Sequence, residues 1–198
     1  MSAAPSRGRD RAPVEHFERL ARESEDPWDY ETSDYEQRKY RHTLEYLPER
    51  TGRTLELGCS VGVFTEMLAP RTSCLVAVDF SPTALERARR RLRRSHHQVQ
   101  LQRRRLPEEM PGGPFDTIVC AEILYYWSAP LVRLGLQRME GALAPGGTLL
   151  TVHWRHPDRR RELTGDDVHA IIDAETRLEP VAGYATPDYL LDRRVARW

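Results

Sequence analysis

The sequence predicts an α/β protein, a mostly parallel sheet with helices on both faces and an antiparallel pair of strands at its C-terminal end. Three observations predict it. Short apolar runs alternate with capped amphipathic segments from residue 54 to residue 172, the pattern of consecutive β-α units. The first run, Thr54–Leu57, enters a turn with glycine at 58 and 62 and then a helix, which is how a parallel sheet admits a ligand at its carboxyl edge. The last two runs, 177–184 and 188–196, are joined only by Ala185-Thr186-Pro187, a link too short for a crossover and right for antiparallel neighbours.

Each element has a local reason. Helical spacing begins at Val14 and covers Phe17 and Leu20, and Asp26-Pro27-Trp28 makes a turn. Ser33 caps a second helix, Glu36 closes the capping box, and Tyr40, Leu44 and Leu47 form its buried side until Pro48 ends it. Strand 54–57 leads to helix 62–69, stopped by Pro70. Strand 74–78 leads to a helix capped by Ser81, with Pro82 at its first position and Ala84, Leu85, Ala88 and Leu92 as its stripe. A third strand is expected at 98–102, and a fourth, Phe115–Cys120, follows the breaker Pro111-Gly112-Gly113-Pro114. A helix from Pro130 to Leu143 reaches the turn Pro145-Gly146-Gly147 and a fifth strand at 148–153. Thr164, with Asp167 three residues on, caps a helix through Ile172. There is no internal repeat. Residues 1–13 read as a disordered tail, and 14–198 as a single domain whose residues 14–52 form a helical cap or lid.

Bulk composition narrows the classes of function. Lysine plus arginine equals aspartate plus glutamate at 30 each in 198 residues, so no overall basic surface argues for nucleic acid as a partner. No apolar run is long enough for a membrane helix, and Met1–Arg11 lacks the apolar core of a signal peptide. Cys59, Cys74 and Cys120 lie in or beside strands without metal-ligand spacing, the usage of reduced thiols in a cytoplasmic protein with no metal. The stretch 87–105 holds nine arginines. A phosphate-binding patch is one reading, and a solvated helix face is the reading favoured by the neutral total charge. Oligomeric state is not legible.

The ligand can be argued from the first turn. A dinucleotide fingerprint wants G-x-G-x-x-G, but from Gly58 the chain reads Gly-Cys59-Ser60-Val61-Gly62-Val63. Glu56 precedes the turn and Asp79 ends the second strand. A carboxylate at 56 is a poor neighbour for a pyrophosphate and a good one for a ligand bearing an ammonium and a sulfonium. Asp79 is placed to accept bonds from two ribose hydroxyls. An NAD- or FAD-binding domain is the alternative.

The pattern E-x-G-x-x-x-G with the acid at 79 resembles the first motifs of class I S-adenosylmethionine (SAM) methyltransferases. Phe115-Asp-Thr-Ile-Val-Cys-Ala-Glu122 resembles their fourth strand, and Leu143-x-Pro-Gly-Gly-Thr148 the turn before their fifth. The resemblance implies a Rossmann-like, seven-stranded, mostly parallel sheet with a C-terminal antiparallel hairpin. It implies SAM as cofactor and S-adenosylhomocysteine as its product. Glu56, Gly58, Cys59, Ser60 and Gly62 would line the amino-acid end, Asp79 the ribose, and Phe80, Arg104 and Leu106 the adenine. The stretch after strand three, Gln102-Arg-Arg-Arg-Leu-Pro107, lacks the acid that many members place there for the adenine amino group.

Asp26-Pro-Trp28, Tyr35-Glu-Gln-Arg-Lys-Tyr40, Val152-His-Trp-Arg-His-Pro157 and Thr164-Gly-Asp166 further resemble the nodulation protein S-like methyltransferases, from about residue 14 to the end. Name-giving members of that family methylate the free amine of a deacetylated chitooligosaccharide. The resemblance therefore implies methyl transfer to the amine of a small molecule, such as an amino sugar. Glu122, His153 and His156 are the expected catalytic bases or orienters. Tyr30, Tyr125, Tyr126, Trp127, His153 and Trp154 are the expected acceptor contacts. Trp28 and Tyr35 are expected over the cofactor, with Arg38 binding its carboxylate as a two-pronged donor. His169 is expected to pack or cap. The alternatives are a small-molecule O-methyltransferase, an RNA or protein methyltransferase, and a non-catalytic SAM-binding protein.

Overall fold

The computed structural model describes residues 14–94, 98–158 and 161–198. The segment 1–13, expected to be disordered, lies outside the described residues. Among the described residues the six α-helices are α1 (Val14–Glu23), α2 (Asp34–Tyr46), α3 (Val63–Leu68), α4 (Pro82–Arg91), α5 (Ala129–Ala142) and α6 (Gly165–Glu175). Seven strands are β1 (Gly52–Leu57), β2 (Thr72–Asp79), β3 (Val99–Arg103), β4 (Phe115–Ala121), β5 (Leu143–Trp154), β6 (Glu179–Ala185) and β7 (Tyr189–Val195). They form one sheet in the order β3-β2-β1-β4-β5-β7-β6. The pairs among β1 to β5 are parallel, and β7 runs antiparallel between β5 and β6.

Side chains alternate across this sheet. Ile118 and Leu149 face the core under α5 and α6, while their neighbours Val119 and Leu150 face the one that takes in Leu44 of α2 and Phe64 and Leu68 of α3. Strands buried on both faces read as continuous apolar runs for this reason. The chain winds outward from β1 to β2 and β3, then returns to β4 on the other side of β1. This reversal opens a crevice at the carboxyl ends of β1 and β4, where ligands bind in open α/β sheets.

The caps form as read, with one exception. Ser81 accepts from Ala84 N at 3.0 Å, and Thr164 and Asp167 make a full capping box. Ser33 accepts from Glu36 N, but the Glu36 carboxylate does not turn back to complete that box. It pairs with Lys39 instead. The expected turn at Pro145-Gly146-Gly147 is absorbed into β5. Gly146 N donates to Ala196 O and Ala196 N to Gly147 O, each at 2.9 Å, so the end of β7 holds that bend in the sheet.

Candidate active site

Two cavities meet at the crevice. The first lies over the carboxyl ends of β1 and β2. Asp79 forms its floor, and Gly58, Phe80, Leu106 and Trp127 are among its walls. Gly58 N and Cys59 N both donate to Val78 O, at 2.8 and 3.0 Å, which ties the β1–α3 turn to β2. The turn needs left-handed backbone at Gly58 (φ +72°), and a Cβ there would lie 2.6 Å from Ile123 Cδ1. The Asp79 carboxylate accepts from Ser60 N at 3.0 Å and Ser81 N at 2.8 Å. Burial pushes its carboxyl up, and these N–H groups pull it back only in part. Arg104 N donates to Asp79 O at 2.9 Å, which brings the loop after β3 alongside. Phe17 of α1 covers the cavity from outside, edge-on to Phe80 and Tyr126 at 6.0 and 4.9 Å between centroids.

The second cavity, of about 420 Å³, lies under α1 and α2 and shares Phe17, Glu122 and Tyr126 with the first. Glu122 ends β4 with φ +60°, an uncommon conformation for a non-glycine residue and one that clusters at functional sites. It aims the carboxylate at three donors. Lys39 Nζ lies 2.9 Å from Oε1, and Trp154 N at 3.1 Å and the Tyr125 hydroxyl donate to Oε2. Lys39, only 4% exposed, also bonds Glu36 Oε1 at 3.0 Å. Burial works against its charge, but Glu122 and Glu36 outweigh that and hold the ammonium well above its usual range. Burial pushes Glu36 up, with Lys39 opposing. Tyr35 Oη is buried and has no hydrogen-bond partner among the described residues, while both Glu36 oxygens lie 3.0 Å from Lys39 Nζ.

Tyr30, Tyr125, Tyr126 and Trp154 line the second cavity, and Trp28 and Tyr35, expected over the cofactor, line that cavity and not the first. Phe80, Arg104 and Leu106 line the first. Several expectations are corrected. Trp127 borders only the first cavity and packs on Gly135. His153 is fully buried and borders neither cavity; Leu124 N donates to its Nε2 at 3.4 Å, and its Nδ1 faces His169 at 3.3 Å. Successive strand residues point to opposite faces, so β5 sends His153 towards α6 and Trp154 into the cavity. Burial, then the positive charges of His169 and Arg161, hold the His153 imidazole well below its usual range. His156 is exposed and pairs with Asp188 at 3.0 Å. Arg38 is exposed and borders neither cavity; the cation that α2 turns inward is its neighbour Lys39. Glu56, Cys59, Ser60 and Gly62 stand behind the cavity walls. Burial pushes the Glu56 carboxyl up to about 7, and its Oε2 has no hydrogen-bond partner among the described residues.

Lys39, Glu36 and Arg161 were missed by the sequence reading. For the first two a signal existed. Positions 36, 39 and 43 fall on the face that carries Tyr40, Leu44 and Leu47, so charges there had to be buried and paired. Arg161 closes a run of three arginines, and no local pattern singles it out. Among the described residues, no cluster of histidine, cysteine and acidic side chains is arranged to hold a metal, and no helix is long and apolar enough to cross a membrane.

The strand order, the left-handed glycine turn and the acid at the end of β2 define the Rossmann-like fold of the class I SAM-dependent methyltransferases. The chain belongs to the nodulation protein S (NodS) family, whose model matches residues 12–161. It is 37% identical over 134 residues to nodulation protein S of Bradyrhizobium diazoefficiens, covering 64% of this chain and 61% of that one. It is 33% identical over 142 residues to nodulation protein S of Sinorhizobium fredii, covering 69% and 65%. It thus spans somewhat less than two thirds of these relatives' lengths. The crystal structure of N-methyltransferase NodS from Bradyrhizobium japonicum WM9 in complex with S-adenosylhomocysteine superposes with a TM-score of 0.84 at 27% identity, covering 93% of this chain and 98% of that one.

Proposed function

We propose that the protein transfers a methyl group from SAM to the amine of a small molecule. The observation that carries this reading is the junction at Glu122, where a cavity floored by a strand-end acid opens into one walled by aromatic rings and carboxylates. The residues fit SAM. Asp79 keeps lone pairs for ribose hydroxyls beyond its two backbone bonds, Phe80, Leu106 and Trp127 offer apolar surface to adenine, and the unpartnered Tyr35 hydroxyl beside the Glu36 carboxylate suits an ammonium or amine. When bound, SAM supplies a methyl group already activated by its sulfonium.

The protein's own work is then to orient, exclude water and manage one proton. Phe17, Trp28 and Tyr30 cover the site as a lid, in one domain of residues 14–198 whose residues 14–52 close over it. An amine must attack in its neutral form. Glu36 borders the second cavity with its carboxyl pushed up by burial, and it can take the proton released. The Glu122 oxygens are committed to Lys39, Tyr125 and Trp154 N, so its role is to position. A hydroxyl acceptor would need a firm base, and His153 is out of reach, which favours the amine. An amino sugar or chitooligosaccharide stays within this class. The arginines of α4 are engaged locally, Arg91 with Glu31 and Glu66 and Arg89 with Glu86, which supports a solvated face over a nucleic-acid site. Free thiols at 59, 74 and 120 support a reducing compartment, the cytoplasm.

Calorimetry with SAM and S-adenosylhomocysteine tests the cofactor. Asp79→Ala removes hydrogen bonds to a charged acceptor and should weaken both ligands about 100-fold, the equivalent of about 3 kcal/mol. Absence of binding by the folded wild type overturns the reading. Methyl transfer to hydroxyls but not to amines in a mixed panel overturns its amine part.

A further inference from the structure

The second cavity contains a cation that the reaction as described does not use. Arg161 lies between β5 and α6, and its guanidinium reaches the cavity wall. It sits 3.9 Å from the ring centroid of Tyr125, 4.9 Å from Trp154 and 5.1 Å from Tyr126. These rings fix its plane and keep water from its faces. Its Nε and Nη1 are buried without a hydrogen-bond partner. Among the described residues its one hydrogen bond runs from Nη2 to Tyr126 Oη at 3.3 Å, and no carboxylate forms an ion pair with it.

A guanidinium is always charged and carries five N–H donors in a rigid plane. Buried donors left unpaired in a native site call for an acceptor that arrives with the ligand. The matching group is a carboxylate, which is planar and takes two N–H bonds from one guanidinium. Glu36 and Glu122 border the same cavity on the α2 and β4 side, with Lys39 neutralising only one of the two. Asp158 lines the cavity on the Arg161 side, so carboxylates border both walls, and Arg161 is the cation among them that makes no ion pair among the described residues.

We propose that Arg161 binds a carboxylate of the acceptor, so that the substrate is an amine that also carries a carboxylate, an amino acid or an amino-sugar acid, and not a neutral amine. This rests on the methyltransferase reading above and narrows its substrate class.

Matched pairs test it: tyrosine against tyramine, and muramic acid against glucosamine. The full-length wild type, Arg161→Gln and Arg161→Lys are first titrated with S-adenosylhomocysteine. Each saturated complex is then titrated with both members of each pair, and turnover is measured with SAM. The expected result is at least tenfold tighter binding of the acid in one pair. Arg161→Gln should erase that preference, Arg161→Lys should keep part of it, and S-adenosylhomocysteine affinity should stay within threefold. A preference in the tyrosine pair identifies an amino acid, and one in the muramic acid pair a sugar acid. The assignment is overturned if neutral members bind as well as acids, or if no member binds. It is also overturned if Arg161→Gln weakens S-adenosylhomocysteine tenfold, which would move Arg161 to the cofactor's carboxylate. Failure of the wild type to bind S-adenosylhomocysteine is a separate result and removes the methyltransferase reading itself.

Discussion

Replacing Lys39 with methionine keeps the length of the side chain and removes its charge. The consequence follows from the geometry. Lys39 Nζ lies 2.9 Å from Glu122 and 3.0 Å from Glu36, and the three side chains are 4, 17 and 15% exposed. Without the ammonium, two mostly buried carboxylates face each other with nothing between them. Removing one partner of a buried ion pair costs about 3–5 kcal/mol, because the remaining charge stays desolvated. For a chain of this size that corresponds to a fall in Tm of roughly 6–20 °C. The sign of the pH dependence separates charge from packing. In the wild type the Lys39 pKa is raised, so its contribution is fully present below about 10.5 and is lost only as pH rises through its folded value. In Lys39→Met the Glu36 carboxyl, already pushed up by burial, is the perturbed group. A carboxyl raised on folding stabilises when protonated, so the variant recovers as pH falls and the gap to wild type narrows from pH 8 to pH 5. Thermal unfolding of both proteins across that range is the assay. A loss under about 2 °C, or a gap that is the same at both pH values, refutes the argument.

Three other perturbations have definite outcomes. Glu56 is buried with its carboxyl pushed up to about 7. Its contribution is favourable below about 4.5 and is lost as pH rises through 7, so Glu56→Gln should match wild type at pH 5 and gain about 2–3 kcal/mol at pH 8 in urea unfolding. Equal effects at both pH values would mean that Glu56 is not the titrating group. His153→Ala should cost about 2–4 kcal/mol of stability through the cavity it leaves, with S-adenosylhomocysteine affinity unchanged. Intact stability with a collapsed kcat would return His153 to the chemistry. Gly58→Ala puts a Cβ into left-handed backbone 2.6 Å from Ile123 Cδ1 and should cost about 2 kcal/mol or more. Adding Ile123→Ala to relieve the clash should recover part of that in denaturant titration, and no recovery would place the whole cost in the backbone.

Much of the fold is a local matter, and the sequence exposes it. The alternation of strand and helix, the caps at Ser33, Ser81 and Thr164, and the terminal antiparallel pair all rest on interactions within a few residues. So do the Gly58 turn and the acid at 79, whose spacing marks the carboxyl edge of a parallel sheet before any contact is known. Helix α2 shows the limit. Ser33 and Glu36 have the spacing of a capping box, but the box stays half made, because a buried lysine one turn on, itself held by Glu122, offers Glu36 a stronger partner.

The site divides in the same way. The sequence by itself determined the order of the elements and the edge of the sheet where the first cavity opens over Gly58 and Asp79, since these depend on backbone periodicity and turn chemistry. Only the tertiary structure decided which charges meet. Whether β5 turned His153 or Trp154 into the cavity depended on which face α6 covered. Arg38 and Lys39 differ by one step of about 100° around a helix, and docking against β4 chose Lys39. Arg161 reaches the second cavity, which Lys39 also lines, because Tyr125, Tyr126 and Trp154 gather around it from two strand ends. Pairing of charge and burial is set by distance in space, and residues 39, 122 and 161 are brought together only when the sheet has formed.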